Sequence, residues 1–417
     1  MSFKRVFSIL CCGILALALA LPVQAQGAPS KLKFSKEAAI PQLYYSAFPD
    51  LSSDGKTIVA LDAKTWDYMS GSHKCGILVS NMTKSGKWTT PVVLAETGIK
   101  DSIPYMETHP VISGDGKTIV YIGVDPETNT YRLFESILDA SGTWSSSKII
   151  DTVPAGSFNI DVSINEDGTV VSYGQGGGGF FGGSTHLYVI RKSADVWQTP
   201  EELRFTTTDY SHSSGKLDAV GDTMILTITT SNSDLYVTDY VNGAWTEPLK
   251  LTSCKEDSAA ANSSGSNDFT YFDAINSSIS GDGNTLFYYI RTVKNSVVKD
   301  RSLFWATRAS SAEPWSTPAL LSKDESSQLT MDSPVALSAD GKSLCRIRYY
   351  TTKYTDGSSY LSGSKLLYQT RTGNRWSTPA IAMSTAADYA ETPVMSANGK
   401  GIVVNHFSSL SYVKRIK

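Results

Sequence analysis

The residues of this chain best suited to chemistry are Glu107, His109, His212 and Asp332. Two carboxylates across a cleft, Glu107 and Asp332, could act as general acid and base on a glycosidic bond if burial or a like charge raised one pKa. Glu107-x-His109, with His212 approaching from the far side, could hold a metal ion. Both patterns are weak as motifs. The five histidines share no H-x-x-x-H spacing. No metal and no cofactor is expected, and a catalytic assignment lacks support beyond the acids themselves.

Whether such residues converge depends on the elements that carry them, and those elements repeat. "LSSDGKTIVA", "ISGDGKTIVY", "INEDGTVVSY", "AVGDTMILTI", "ISGDGNTLFY", "LSADGKSLCR" and "MSANGKGIVV" recur along the chain, at spacings of roughly 50 to 60 residues, the mark of small units packed in series. Asp-Gly between apolar runs signals a tight hairpin, because both residues tolerate positive φ. In the second unit "HPVIS" reads as a short strand and "TIVYIG" as a second. "YRLFESILD" reads as a third, and "SGTWSSSKII" leads into a fourth. "TIVYIG" is apolar on both faces, so both must be covered. Four meandering antiparallel strands per unit make the blade of a β-propeller.

Trp88, Trp144, Trp197, Trp245, Trp315 and Trp376 each follow one hairpin turn, mostly in W-x-x-P form. A large aromatic at the start of each outer strand would fill the gap that widens between splayed blades. Seven turns but six tryptophans leave the last unit short of an outer strand. Residues 31–38, "KLKFSKEA", are expected to supply it and close the ring. The expected fold is therefore all-β: a propeller of seven four-stranded blades, with six blades as the alternative if the tail packs outside.

A propeller brings equivalent inner-strand positions together around its channel. Six residues before the serine of each turn, or its equivalent, lie Ser46, Glu107, Asn159, His212, Ala274, Asp332 and Ala390. With their neighbours they predict a polar, tyrosine-flanked binding site at the channel mouth: Tyr45, Glu107, His109, Asn159, His212, Asp273, Asp332 and Glu391. A cation, a basic peptide or a sugar would suit it. The glycine run Gly174 to Gly183, with Phe180 and Phe181, reads as an insertion between second and third strands. Lys255 to Asp268 reads as a polar loop. Asn81 and Asn276 head glycosylation sequons.

Lys4 and Arg5, the apolar run to Leu21 and the small residues of Val23-Gln24-Ala25 read as a signal peptide over 1–25. The single propeller domain would then span 26–417, in the periplasm or outside the cell. Outside the leader the 40 Asp and Glu exceed Lys and Arg by about 5, with no basic cluster, which argues against nucleic acid. No later apolar run is long enough for a membrane helix. Cys75, Cys254 and Cys345 form no disulfide framework, although one pair could oxidise. A monomer is expected.

The half-repeat P-x-x-S-x-D-G-K-x-I, as in "PVISGDGKTI" and "PVMSANGKGI", resembles the TolB-like, WD-repeat-like propellers of bacterial envelope proteins. That resemblance implies an interaction platform binding a protein or an envelope glycan rather than an enzyme. TolB-type propellers have six blades behind a separate N-terminal domain, for which this chain has no counterpart. Sialidase-like propellers carry S-x-D-x-G-x-T-W, whereas here Gly follows Asp directly and no Trp completes the box. No G-x-S-x-G elbow is present either. A carbohydrate-active enzyme using the acidic channel residues is the rival reading.

Overall fold

A computed structural model describes residues 32–44, 46–62, 73–99, 109–125, 127–128, 130–152, 162–176, 185–205, 211–229, 233–252, 270–294, 297–324, 335–353, 359–385, 390–406 and 409–416. Among them there is no helix, and the strands fall into seven antiparallel sheets. Blade 1 is built from Ser46–Leu51, Thr57–Asp62, His73–Asn81 and Val92–Ile99. Blades 2 to 6 begin at Val111–Ile112, Val162–Ile164, Ser211–Leu217, Thr270–Ile279 and Ala336–Leu337. Blade 7 takes Ala390–Met395, Gly401–His406 and Ser409–Lys414 from the C-terminus, and its outer strand Ala38–Tyr44 from the other end of the chain. The seven-bladed ring is thus closed by strand exchange between the termini.

The closing strand lies later than expected. Ala38 pairs with Tyr412 and Tyr44 with Ser409. Upstream of that strand, Phe34 alone bridges Arg415. This single bridge matches Met82–Trp88 in blade 1 and Leu138–Trp144 in blade 2. Phe34 therefore occupies the place a tryptophan holds elsewhere, edge-on to Tyr368 at 5.3 Å. Glu37 reaches the buried His406 at 3.2 Å and adds a polar tie to the same closure.

The tryptophans also sit earlier than expected. Trp197, Trp245 and Trp376 lie in two-residue strands that fold back on the third strand, before the outer strand proper. Their function in packing is as anticipated. Trp88 packs with Val403 and Leu410 of blade 7, and Trp144 with Val59 and Ile77 of blade 1. Trp376 packs with Phe287 and Leu303 of blade 5. Each of the seven apolar clusters spans one seam between neighbouring blades. The second strands explain this. Thr57–Asp62 and Gly401–His406 are buried on both faces, since each blade is covered by a neighbour on either side. Cys345 is a free thiol in one of these seams. The side chain of Cys75 and all of Cys254 lie outside the described residues.

Basic residues at the ends of the third strands stitch the seams. Lys192 reaches buried Glu135 of blade 2, and Arg308 spans from blade 5 to Asp239 and Thr223 of blade 4. Arg415 donates from blade 7 to the Tyr368 hydroxyl of blade 6 at 2.7 Å. Several of these cations also lie over aromatic rings, Arg308 over Trp315 at 4.7 Å and Lys192 over Trp197 at 4.7 Å.

Candidate functional site

The repeated Ser-x-Asp-Gly-Lys phrase is occupied by its own turn. Ser52 Oγ donates to Asp54 and accepts from the Thr57 amide at 3.0 Å, while Asp54 accepts from the Lys56 amide. The same bonds recur at Ser113–Asp115–Thr118 and at Ser280–Asp282–Thr285. In unit four Asp218 replaces the serine, and its carboxylate accepts three main-chain N–H groups. Gly55, with φ at +72°, takes the left-handed position that the turn needs. Carboxylates held in this way have little capacity left for catalysis.

The turns also bond to one another. The Ser53 amide donates to Gly114 O, Asp115 to Glu166 O, Glu166 to Ala219 O and Ala219 to Gly281 O. Asp282 donates to Ala339 O, Ala339 to Ala397 O, and Ala397 back to Ser53 O. This main-chain circle visits all seven blades and borders the channel.

Inside it lies a cavity of about 490 Å³ walled by the innermost strands. Its ionisable lining residues are Asp50, His109, Glu166, Lys216 and Asp218. Asp50 accepts from the Leu51 amide and, across the seam, from the Ile112 amide, both at 2.9 Å. Burial pushes its carboxyl up to about 6, against the pull of those two amides and of Lys216. His109 stacks on Phe48 with ring centroids 3.7 Å apart, and its Nε2 has no partner among the described residues. Burial, helped by the positive charge of Lys216, holds its imidazole down at about 4. Glu166 reaches over Gly114 to accept from Ser53 Oγ at 2.5 Å, so blade 3 is tied to blade 1 across blade 2. Lys216 makes no ion pair among the described residues.

Three lining residues, Phe48, Asn276 and Thr392, have φ of 51°, 51° and 37°. Each stands four places before its turn serine, beside a register shift in the inner strand. His109 holds the same place in blade 2. Non-glycine residues in this region are strained, and strain gathered on one cavity is a common property of ligand sites. The Asn276 amide nitrogen is buried, so its sequon is closed to modification in this conformation.

Of the eight residues proposed from sequence, His109 lines this cavity. His212, Asp273 and Glu391 lie on innermost strands, and their side chains are not among those described. Tyr45, Glu107, Asn159 and Asp332 lie outside the described residues, as do most of the glycine run and the Lys255–Asp268 loop. The six-residue count missed Asp50 and Lys216, which stand two places before their turn residues in units one and four. Other units have Val111, Ser163, Ser278, Ala336 and Val394 there, so a charge at that register was the available signal. Among the described residues no group of three or more His, Cys, Asp or Glu is placed to hold a metal ion.

No family model matches the chain. No curated protein matches it. Solved structures do. An oligogalacturonate lyase in complex with manganese is similar with a TM-score of 0.54 and 11% identity, over 94% of this chain and 99% of that one. The Kuenenia stuttgartiensis hydrazine synthase gives 0.51 and 13%, over 94% and 98%. TolB from Acinetobacter baumannii gives 0.40 and 14%, over 79% and 67%. At such identities the likeness is one of fold, and this fold is shared by binding scaffolds and enzymes alike.

Proposed function

We propose that this chain is an exported, non-catalytic propeller that binds a protein or an envelope glycan through its central channel. One observation carries the reading. The repeated residues are spent on turns and seams, whereas the residues that differ between units, Asp50, His109, Lys216 and Asn276, come together on one cavity. Regular positions build the scaffold and irregular ones remain for recognition.

Binding is favoured over acid–base catalysis by how the cavity's carboxylates are held. Both Asp50 oxygens accept main-chain N–H groups and Glu166 accepts from Ser53. Asp50 is thus fixed by two main-chain donors, and Glu166 by Ser53 at one oxygen. Export rests on the basic, apolar and small-residue succession of residues 1–25.

A glycan array and an envelope-fraction pull-down with wild type and Lys216→Ala test this. Retention of one glycan or one protein, lost in the variant, is the expected result. Turnover of a retained glycan would replace the scaffold reading with the carbohydrate-active one. For export, mass spectrometry of chain secreted from a bacterial host should give Gln26 as the first residue; an intact leader would count against it.

A further inference from the structure

The seam between blades 4 and 5 and the seam between blades 5 and 6 each receive an arginine from the later blade, but differ in what faces it. In the first, Thr223 pairs across the strands with Asp239, and Arg308 of the next blade enters. Its guanidinium donates to both Asp239 oxygens, at 2.8 and 2.9 Å, and to Thr223 Oγ1 at 2.8 Å. In the second, Thr285 pairs with Thr307 at the same register, and Arg371 enters. Arg371 donates to Thr285 Oγ1 at 3.2 Å, as Arg308 does to Thr223. Thr307 stands where Asp239 would be, and Arg371 makes no ion pair among the described residues.

The space beside it is a cleft of about 420 Å³, bounded by Asn284, Thr307, Lys342, Arg371 and Asn374. Asp282 and Asp340 also border it; Oδ1 of each accepts from Ser280 or Ser338 and from the amide of Asn284 or Lys342, and Asp340 Oδ2 pairs with Lys342 at 3.5 Å. Asn284 Oδ1 is buried without a partner; as an acceptor it calls for a donor and would not itself bind a carboxylate. Burial holds the Arg371 guanidinium below the ordinary arginine range even with those two acids nearby. It lies over the Trp305 and Trp376 rings, at 5.4 and 5.8 Å, and has no bidentate carboxylate partner of the kind Arg308 has among the described residues.

We propose that this cleft binds a small organic carboxylate, whose two oxygens take at Arg371 the place that the Asp239 carboxylate takes at Arg308. A planar carboxylate fits the guanidinium fork in two parallel bonds, which a tetrahedral anion matches less well. Lys342 on the same wall is paired with Asp340 at 3.5 Å, so Arg371 is the cation the carboxylate would meet, and the volume leaves room for the organic acid's carbon skeleton. The cleft shares no residue with the channel cavity and stands independently of the function proposed for it.

The test follows the Arg371 Nε–Hε resonance and the thermal midpoint while propionate, propionamide or inorganic phosphate is added at constant ionic strength. Propionate should shift both saturably, propionamide neither, and phosphate should bind more weakly than propionate. Thr307→Asp, which supplies a built-in carboxylate, should raise the unliganded midpoint and weaken propionate by at least about tenfold. Arg371→Lys should weaken it as well. The proposal falls if propionate causes no saturable shift, if propionamide equals it, if phosphate binds as tightly, or if Thr307→Asp leaves propionate binding unchanged. The three wild-type titrations decide the matter even if a variant does not fold.

Discussion

The amide of Ala397, in the last blade, donates to the carbonyl of Ser53, in the first, at 2.8 Å. That bond completes a circle of main-chain hydrogen bonds through every blade, and it joins residues near opposite ends of the chain. Closure here is therefore made twice. The inner circle joins the turns, and the outer strand Ala38–Tyr44 pairs with Ser409–Lys414 at the rim. Either joint alone would leave one radius of the ring free to open, and without the outer strand the edge of blade 7 would be unpaired.

The rim joint depends on Phe34 filling a tryptophan's place. Phe34→Ala should destabilise the protein by about 2 kcal/mol, less than the 3–5 of a fully buried phenylalanine because Phe34 is half-buried. Phe34→Trp should fold and retain most of the stability. Urea midpoints with unchanged m-values would measure both, and a neutral Phe34→Ala would mean that Phe34 does not share the tryptophans' role.

The link between Ser53 and Glu166 requires glycine beneath it. A Cβ on Gly114 would come within 1.8 Å of Glu166 Oε2 and 2.6 Å of Ser53 Oγ. Gly114→Ala should therefore cost about 1–3 kcal/mol by displacing the carboxylate from its hydrogen bond. Most of that cost should vanish in a Glu166→Ala background, giving a clear coupling in a double-mutant cycle. Additive effects would show that the strain lies elsewhere.

Arg308 is almost fully buried, its side chain 2% exposed, and Asp239 supplies its counter-charge. Asp239→Ala should cost about 3–5 kcal/mol, because it leaves a buried guanidinium unpaired. Asp54→Ala removes a far more exposed ion pair with Lys56, so any loss there reports the turn bonds and not the charge. Denaturant unfolding of the two variants should separate them clearly, and equal losses would mean that Arg308 finds another partner.

Asp50 and His109 make opposite contributions to pH dependence. The Asp50 carboxyl is raised from 3.8 to about 6, so its contribution to stability is complete below pH 3.8 and is lost as pH rises through about 6. The His109 imidazole is lowered from 6.5 to about 4, so its contribution is present above pH 6.5 and is lost as pH falls through about 4. Between pH 4 and 6 the two slopes oppose each other. Relative to wild type, His109→Gln should lose stability as pH rises across this window, and Asp50→Asn should gain it. Urea midpoints at half-unit pH steps would show this, and curves parallel to wild type for both variants would remove the assignment.

Much of the architecture could be read in the residues. Asp-Gly pairs and the serines before them define the hairpins through local hydrogen bonds, and these bonds form within five residues wherever the phrase occurs. Counting that phrase gives seven blades, and the missing tryptophan strand locates the closure at the N-terminus. The channel residues were less legible. Counting six residues back along the inner strand assumes an unbroken pleat, but a left-handed residue at Phe48, Asn276 or Thr392 breaks it. Alternation then no longer tells which side chains reach the cavity.

What the sequence determined by itself is local and periodic: turn chemistry, strand order, blade count and the apolar seams, all set by near neighbours and repeated in each unit. What only the tertiary structure decided is where the units differ in three dimensions. Phe34 replaces a tryptophan across almost the whole length of the chain, and Arg308 finds Asp239 where Arg371 finds a threonine. The channel gathers Asp50, His109 and Lys216 from three blades. Such pairings depend on the angle and register at which blades meet, and packing of the closed ring sets these in a way that no single repeat encodes.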